Sequence, residues 1–232
     1  MEIEHITFDT LGLDVQKEFN TKLQTIIVGT TLEKQTYNCD NPYSGGNLVN
    51  QLLDKDAKTY AVFVQATRDL GNDFTATIGA REQFLKANDD YNAFTPEFSL
   101  IKKIDKNSSV YVNAAKAFKM PNFTSLYGSG SVEFKPNQEL KPEEGWTYEL
   151  GYKKVSNTSI FKTALYYIDM DAWTYTTDKD GVNQAINSPF ENLGLEVNYE
   201  KNVDNHFSYS LGTDISNPNS SITASKNLIR LF

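Results

Sequence analysis

Two histidines, His5 and His206, and a single cysteine, Cys39, are the only imidazole and thiol groups the chain offers. They stand far apart in sequence, and none has a partner at metal-ligand spacing. Asp178-Lys179-Asp180-Gly181 is similar to the start of a calcium loop, but the bidentate Glu that would close such a loop is missing. A hairpin turn is the favoured reading there. Asp169 and Asp171 lie two apart, hence on one face of a strand, where they suit either a cation or a solvated strand end; the second is favoured. Gly128-Ser129-Gly130-Ser131 lacks the lysine of a phosphate loop. There is no G-x-S-x-G and no pair of carboxylates with a local rationale for acid–base work. The sequence predicts no enzyme, no catalytic residue, no metal site and no cofactor.

The elements around these residues carry more information than the residues themselves. WTYELGYK (146–153) sets Trp146, Tyr148, Leu150 and Tyr152 on one side, and Thr147, Glu149, Gly151 and Lys153 on the other. That period of two is a strand with one apolar flank. The same alternation recurs over Thr10–Phe19, Lys22–Gln35, Thr59–Thr67, Phe74–Gln83, Phe94–Ile104, Ser108–Lys116, Thr158–Met170, Asn192–Glu200 and His206–Ile215. Ala172–Thr177 and Val182–Asn187 flank the predicted hairpin at 178–181. The count is about 11–12 strands with no convincing helix. Thirteen Tyr and fourteen Phe in 232 residues agree with an all-β chain. The longest pure apolar run, Tyr60–Val64, is far short of the roughly 20 residues of a spanning helix. A net charge of −8 without a basic cluster argues against nucleic acid as partner. The opening residues MEIEHITFDT have no apolar core and do not read as a secretory signal.

Alternation alone leaves two architectures. In a soluble sandwich the apolar flank faces a dry core; in a transmembrane barrel it faces lipid and the polar flank faces a lumen. Short turns at 18–22, 69–73, 104–108, 155–158 and 201–205 alternate with connections that are longer on average, at 36–58, 88–93, 117–144 and 178–181. An up-and-down barrel has that asymmetry of its two rims. The polar flank mixes Arg81, Glu149, Lys153, Glu196 and Glu200 with small residues, as a wet lumen tolerates. Aromatic residues, among them Trp146, Tyr148, Tyr166, Tyr167 and Trp173, crowd the strand ends, as in interfacial girdles.

Two phrases go further. AAKAFKMPNFTSLYG (114–128) and NQELKPEEGWTYELGYK (137–153) resemble the barrel of TonB-dependent outer-membrane receptors. The positions that carry the first likeness are Ala117, Phe118, Pro121, Asn122, Leu126, Tyr127 and Gly128. The second rests on Asn137, Leu140, Lys141, Pro142, Glu143, Trp146, Tyr148, Glu149, Leu150 and Gly151. Weaker echoes lie at 60–84, 94–104 and 191–200, so that the likeness spans about residues 10 to 216. The signal, energy-coupling box and plug domain of that family are not found in this sequence. The barrels have about 22 strands, roughly twice the number read here.

The resemblance implies an antiparallel, up-and-down transmembrane β-barrel segment over residues 1–232, part of a larger barrel, in a Gram-negative-type outer membrane. It implies uptake of a metal chelate such as a ferric siderophore, haem or cobalamin. Lipid, the chelate, and the TonB complex acting through a plug outside this chain are then its partners. Tyr37, Tyr43, Tyr127 and Phe134, read as loop aromatics, are candidates for ligand contact or for packing their own loops. Arg81, Glu149 and Glu196 are expected to face the lumen, either touching a plug or solvating the wall. The competing readings are a soluble secreted all-β ligand-binding protein and a general porin.

Overall fold

The structure, a computed structural model, describes residues 5–40, 43–44, 47–48, 53–87, 89–128, 134–179, 182–220 and 228–231. In chain order its elements are β1 (His5–Asn20), β2 (Gln24–Asp40), β3 (Tyr43–Ser44), β4 (Asn47–Leu48), β5 (Leu53–Gly71), β6 (Phe74–Lys86), β7 (Asp90–Lys103), β8 (Ser108–Lys119), α1 (Phe123–Tyr127), β9 (Phe134–Lys135), β10 (Glu143–Val155), β11 (Ser159–Lys179), β12 (Val182–Asn202), β13 (Ser208–Ser220) and β14 (Leu228–Leu231). The ten long strands form one antiparallel meander in the order β1-β2-β5-β6-β7-β8-β10-β11-β12-β13, which β14 continues. β3 and β4 pair separately, and β9 adds in parallel to β12.

The apolar flank is exposed along the sheet. Leu11, Val62, Ile78, Leu150, Leu193 and Leu211 are between 51% and 77% accessible. Among the described residues no second sheet covers them, which removes the sandwich reading. A row of this kind in water would forgo roughly 1.5–3 kcal/mol for each large apolar side chain. Hydrocarbon is the environment that spares that cost, so this is the lipid face of a transmembrane barrel segment.

The strands run past the predicted boundaries. The pairs read as Ala172–Thr177 and Val182–Asn187 are the outer ends of β11 and β12, continuous with their bodies across a bulge between Met170 and Trp173. Lys179 pairs with Val182, as the predicted hairpin requires; Asp180 and Gly181 lie outside the described residues. A short helix, α1, stands where only loop was expected.

The short turns are locally encoded. Asn72 and Asp73 both have positive φ, 51° and 64°, as a two-residue turn of the I′ kind demands, and both types tolerate that region. Elsewhere a side chain accepts the turn's own N–H groups. Asp105 takes those of Asn107 and Ser108 at 2.7 and 2.8 Å, and Asp204 takes those of His206 and Phe207 at 2.7 and 2.9 Å. The Ser156 hydroxyl oxygen does the same for Ser159 at 3.0 Å.

Candidate functional site

The concave face is polar, and its large side chains lie flat. Tyr111 sits opposite Gly151, Tyr166 opposite Gly194, Phe63 opposite Gly29 and Glu97 opposite Gly79. In each case a Cβ on the glycine would collide with the facing side chain. Glycine is therefore required at these four positions by close approach rather than by φ. Over Gly194 the Tyr166 hydroxyl donates to Asp214 at 2.9 Å, and beside Gly79 the Gln65 amide donates to Glu97 at 2.8 Å. Tyr166 thus faces the lumen and does not belong to an outward girdle. Trp146, Tyr148 and Tyr167 do stack along the lipid face, at 6.0 and 6.3 Å.

Arg81, on β6, points to the concave face. It donates to the Thr31 hydroxyl at 3.2 Å and to the Gln83 amide oxygen at 3.3 Å, and lies over the Phe63 ring at 5.8 Å. Glu149 on β10 and Glu196 on β12 flank β11, opposite Tyr166 and Ala164 respectively. Glu149 lies beside the Tyr111 phenol, and Glu196 accepts from the Asn198 amide. Arg81 stays apart from both acids, with β7 and β8 between it and β10.

At the rim with the longer connections, residues 120–128 and 134–142 lie inside the mouth of the wall as the two parts of a strap. Asn122 caps α1, its carboxamide oxygen accepting from the Ser125 N–H at 2.7 Å. Gly128 ends α1 with φ 101°, a conformation that favours glycine, and its N–H returns to the Thr124 carbonyl at 2.9 Å. The buried Tyr37 hydroxyl donates to the Gly128 carbonyl at 2.6 Å. Four rings line up through this joint. Phe8 meets Tyr37 at 4.9 Å, Tyr37 meets Phe123 at 5.7 Å, and Phe123 meets Tyr127 at 6.1 Å. Cys39 and Ala57 are buried in the same cluster, and the Lys55 ammonium stands 5.1 Å over Tyr127. Burial pushes the Tyr127 phenol above its ordinary pKa, and the nearby Tyr91 and Asp89 add to the shift.

The same segment is tied at its other end to β12. Phe134 and Lys135 pair with Asn183 and Gln184. Asn137 donates to the Ala185 carbonyl at 2.9 Å, and Asn187 both accepts from the Lys141 N–H at 2.7 Å and donates to the Lys141 carbonyl at 3.1 Å. The buried Glu143 accepts from the Thr174 N–H at 3.3 Å and stands 3.6 Å from Lys119. Between the strap and the wall lies a cavity of about 480 Å³, which Glu33, Thr59, Arg81, Gln83, Phe123 and Leu126 help to line.

Of the four predicted ligand aromatics, Tyr37 is on a strand, not in a loop, and is fully buried. Tyr127 ends α1, also buried. Tyr43 and Phe134 lie on β3 and β9, and their side chains lie outside the described part of the structure. The sequence reading named Asn122, Asn137 and Glu143 only as parts of the two phrases, and it did not single out Phe123 or Asn187. The first four sit within or beside the two quoted phrases, whose spacing was visible while their roles were not. Among the described residues no three His, Cys, Asp or Glu converge as metal ligands. The chemistry on offer is hydrogen bonding, ring stacking and charge.

These features define a class, the wall of a large transmembrane β-barrel with a polar lumen and an inward strap at one mouth. The profile of the TonB-dependent receptor-like β-barrel family matches residues 4–229, and the chain belongs to that family. Solved structures share the fold at low identity. The copper transporter OprC superimposes with a TM-score of 0.75 at 12% identity over 96% of this chain and 39% of its own. The FrpB iron transporter from Neisseria meningitidis gives 0.73 at 16% over 94% and 36%. The siderophore receptor PirA from Pseudomonas aeruginosa gives 0.69 at 18% over 94% and 41%. The chain therefore spans about two fifths of the length of these relatives. No curated protein matches it.

Proposed function

We propose that the chain forms roughly half the wall of an outer-membrane TonB-dependent receptor that imports a metal chelate, of the ferric siderophore, haem or cobalamin kind, without catalysing a reaction. The carrying observation is the family match over residues 4–229 together with a concave face that is polar along its length. The names of the similar structures, a copper transporter, an iron transporter and a siderophore receptor, point the same way. Energy would come from the TonB complex acting through a plug inside the barrel. Arg81, Glu149 and Glu196 face the space where such a plug would lie. The rim with longer connections would meet the ligand. Tyr43, Tyr127 and Phe134 belong to that rim, and Tyr37 serves it by fixing α1.

The test is growth on defined metal sources. A strain without the intact parental gene is expected to lose growth on one ferric siderophore, haem or cobalamin source and to regain it on complementation. Unchanged growth on every chelate supplied rejects the proposal.

A further inference from the structure

The lipid face ends differently at its two rims. At the short-turn rim, five basic residues stand on the lipid side: Lys17 on β1, Arg68 on β5, Lys102 on β7, Lys154 on β10 and Lys201 on β12. Each continues the outward row of its strand, and each lies within four residues of that strand's end. Their cross-strand partners Val28, Ala76, Phe74, Ser108 and Tyr209 share that outward side. The five strands that run toward this rim thus each carry one cation. No Asp or Glu occupies the matching outward positions at the ends of the described strands. The spacing is one cation per two strands, about 9–10 Å, comparable with the lateral spacing of lipid headgroups.

Among the described residues none of the five is ion-paired, although the Lys102 ammonium donates to the Asn72 carbonyl and the Lys201 ammonium to the Thr158 hydroxyl at 3.0 Å. The three ion pairs among the described residues, Lys58–Asp56 at 3.9 Å, Lys116–Glu144 at 2.9 Å and Lys119–Glu143 at 3.6 Å, all lie at the opposite rim. Of the turn acids nearby, Asp69, Asp105 and Asp204 are engaged by their own turns' N–H groups, and Lys154 adds a Coulombic attraction at Asp105; Asp73 has no such bond among the described residues. Two of the cations rest on interfacial rings, Lys17 at 6.0 Å from Phe19 and Lys102 at 4.4 Å from Phe74. Side chains placed this way lay their stems on apolar surface and hold their charge at headgroup depth. In a chain of net charge −8, a basic row outside the described ion pairs at one depth is a local exception.

We propose that this row is a binding belt for the phosphate groups of anionic phospholipid in the leaflet that meets the short turns. The inference rests on the outer-membrane reading, in which short turns face the periplasm, but not on which chelate is carried. The belt would fix the depth and tilt of the wall by charge at one rim only.

The experiment uses the refolded full chain in maltoside micelles doped with equal phosphatidylglycerol and phosphatidylcholine. Native mass spectrometry counts the lipid retained. Each basic residue near an anionic surface contributes a factor of about five, so the wild type is expected to retain phosphatidylglycerol at least about fivefold over phosphatidylcholine. K17Q/R68Q/K102Q/K154Q/K201Q is expected to fall to parity, with strand content by circular dichroism unchanged. If that variant does not fold, K154Q/K201Q serves, with an intermediate loss. Neutralising Lys34, Lys58, Lys86 and Lys116 at the opposite rim leaves the preference intact. Molar salt abolishes it in the wild type. Millimolar inorganic phosphate leaves it in place if the belt reads lipid, whereas loss at that concentration overturns the lipid assignment in favour of a free phosphate site. Equal retention of both lipids by the wild type, or equal loss in the opposite-rim variant, overturns the proposal. Because no chelate enters the assay, its failure is distinct from failure of the growth test.

Discussion

Replacing Tyr37 by Phe should loosen the strap and leave the wall intact. The ring is fully buried, and its stacking on Phe8 and Phe123 survives the change. What is lost is the 2.6 Å bond to the Gly128 carbonyl, far away in sequence. A buried carbonyl left without its partner costs about 1–3 kcal/mol, a factor of about 5–150 in a local opening equilibrium. Cys39 supplies the readout, since it is the chain's one thiol and is buried in the same cluster. Alkylation by a maleimide in detergent, under conditions where opening precedes reaction, should accelerate by that factor in Tyr37→Phe. Tyr37→Ala removes the ring as well, at about 3–5 kcal/mol, and should label faster still. Tyr209→Phe, on the outer face of β13, should label like wild type. Equal Cys39 rates in wild type and Tyr37→Phe would falsify the latch, because they would mean the thiol is shielded by something other than α1.

Gly151→Val places a branched side chain where the Tyr111 ring lies, and should destabilise the wall by about 1–3 kcal/mol in urea titrations. Adding Tyr111→Ala should recover part of that loss, whereas simple additivity would remove the flat-packing account. Asn122→Ala should cost about 0.5–2 kcal/mol at the cap of α1 and raise the Cys39 labelling rate; an unchanged rate refutes a role for the cap. The Ser108 hydroxyl and the Asn107 N–H hold the Asp105 carboxyl below its usual pKa. A carboxyl depressed in the folded state adds stability above its unfolded value, and that stability disappears as pH falls through the folded value. The thermal advantage of wild type over Asp105→Asn should therefore be constant above about pH 5 and shrink below about pH 4. An advantage independent of pH over that range contradicts the turn's use of the charge.

Where one strand flank meets lipid and the other meets water, the sequence alternates and the strand is legible. That held for the bodies of β2, β5, β6 and β10. Above the lipid the apolar residues change flank, with Tyr37, Cys39 and Ala57 buried on the inner side, so Thr36–Asp40 and Leu53–Lys58 fell out of phase with the strands below and read as loop, although their ladder hydrogen bonds continue. Tyr37 was misplaced in a loop for this reason, and the Gly128 carbonyl that binds it arises only after four further long strands. α1 has five residues, too few for a helical period to show. Its signals were Asn122 at the cap and Gly128 at the end, which had been noticed as parts of a phrase. Parity puts Arg81, Glu149 and Glu196 on the flank opposite the exposed apolar row. Their separation along the wall was not readable from the sequence, because it depends on which strands adjoin.

Residues 120–128 fasten to β2 through Tyr37, and residues 134–142 to β12 through Phe134, Asn137 and Lys141, while β5, β6, β7, β8, β10 and β11 stand between those two anchor points. Ties at both ends of a six-strand arc couple the mouth to the wall, so a change that draws α1 off Tyr37 is expected to be felt on β2, well away from the strands that flank the loop itself.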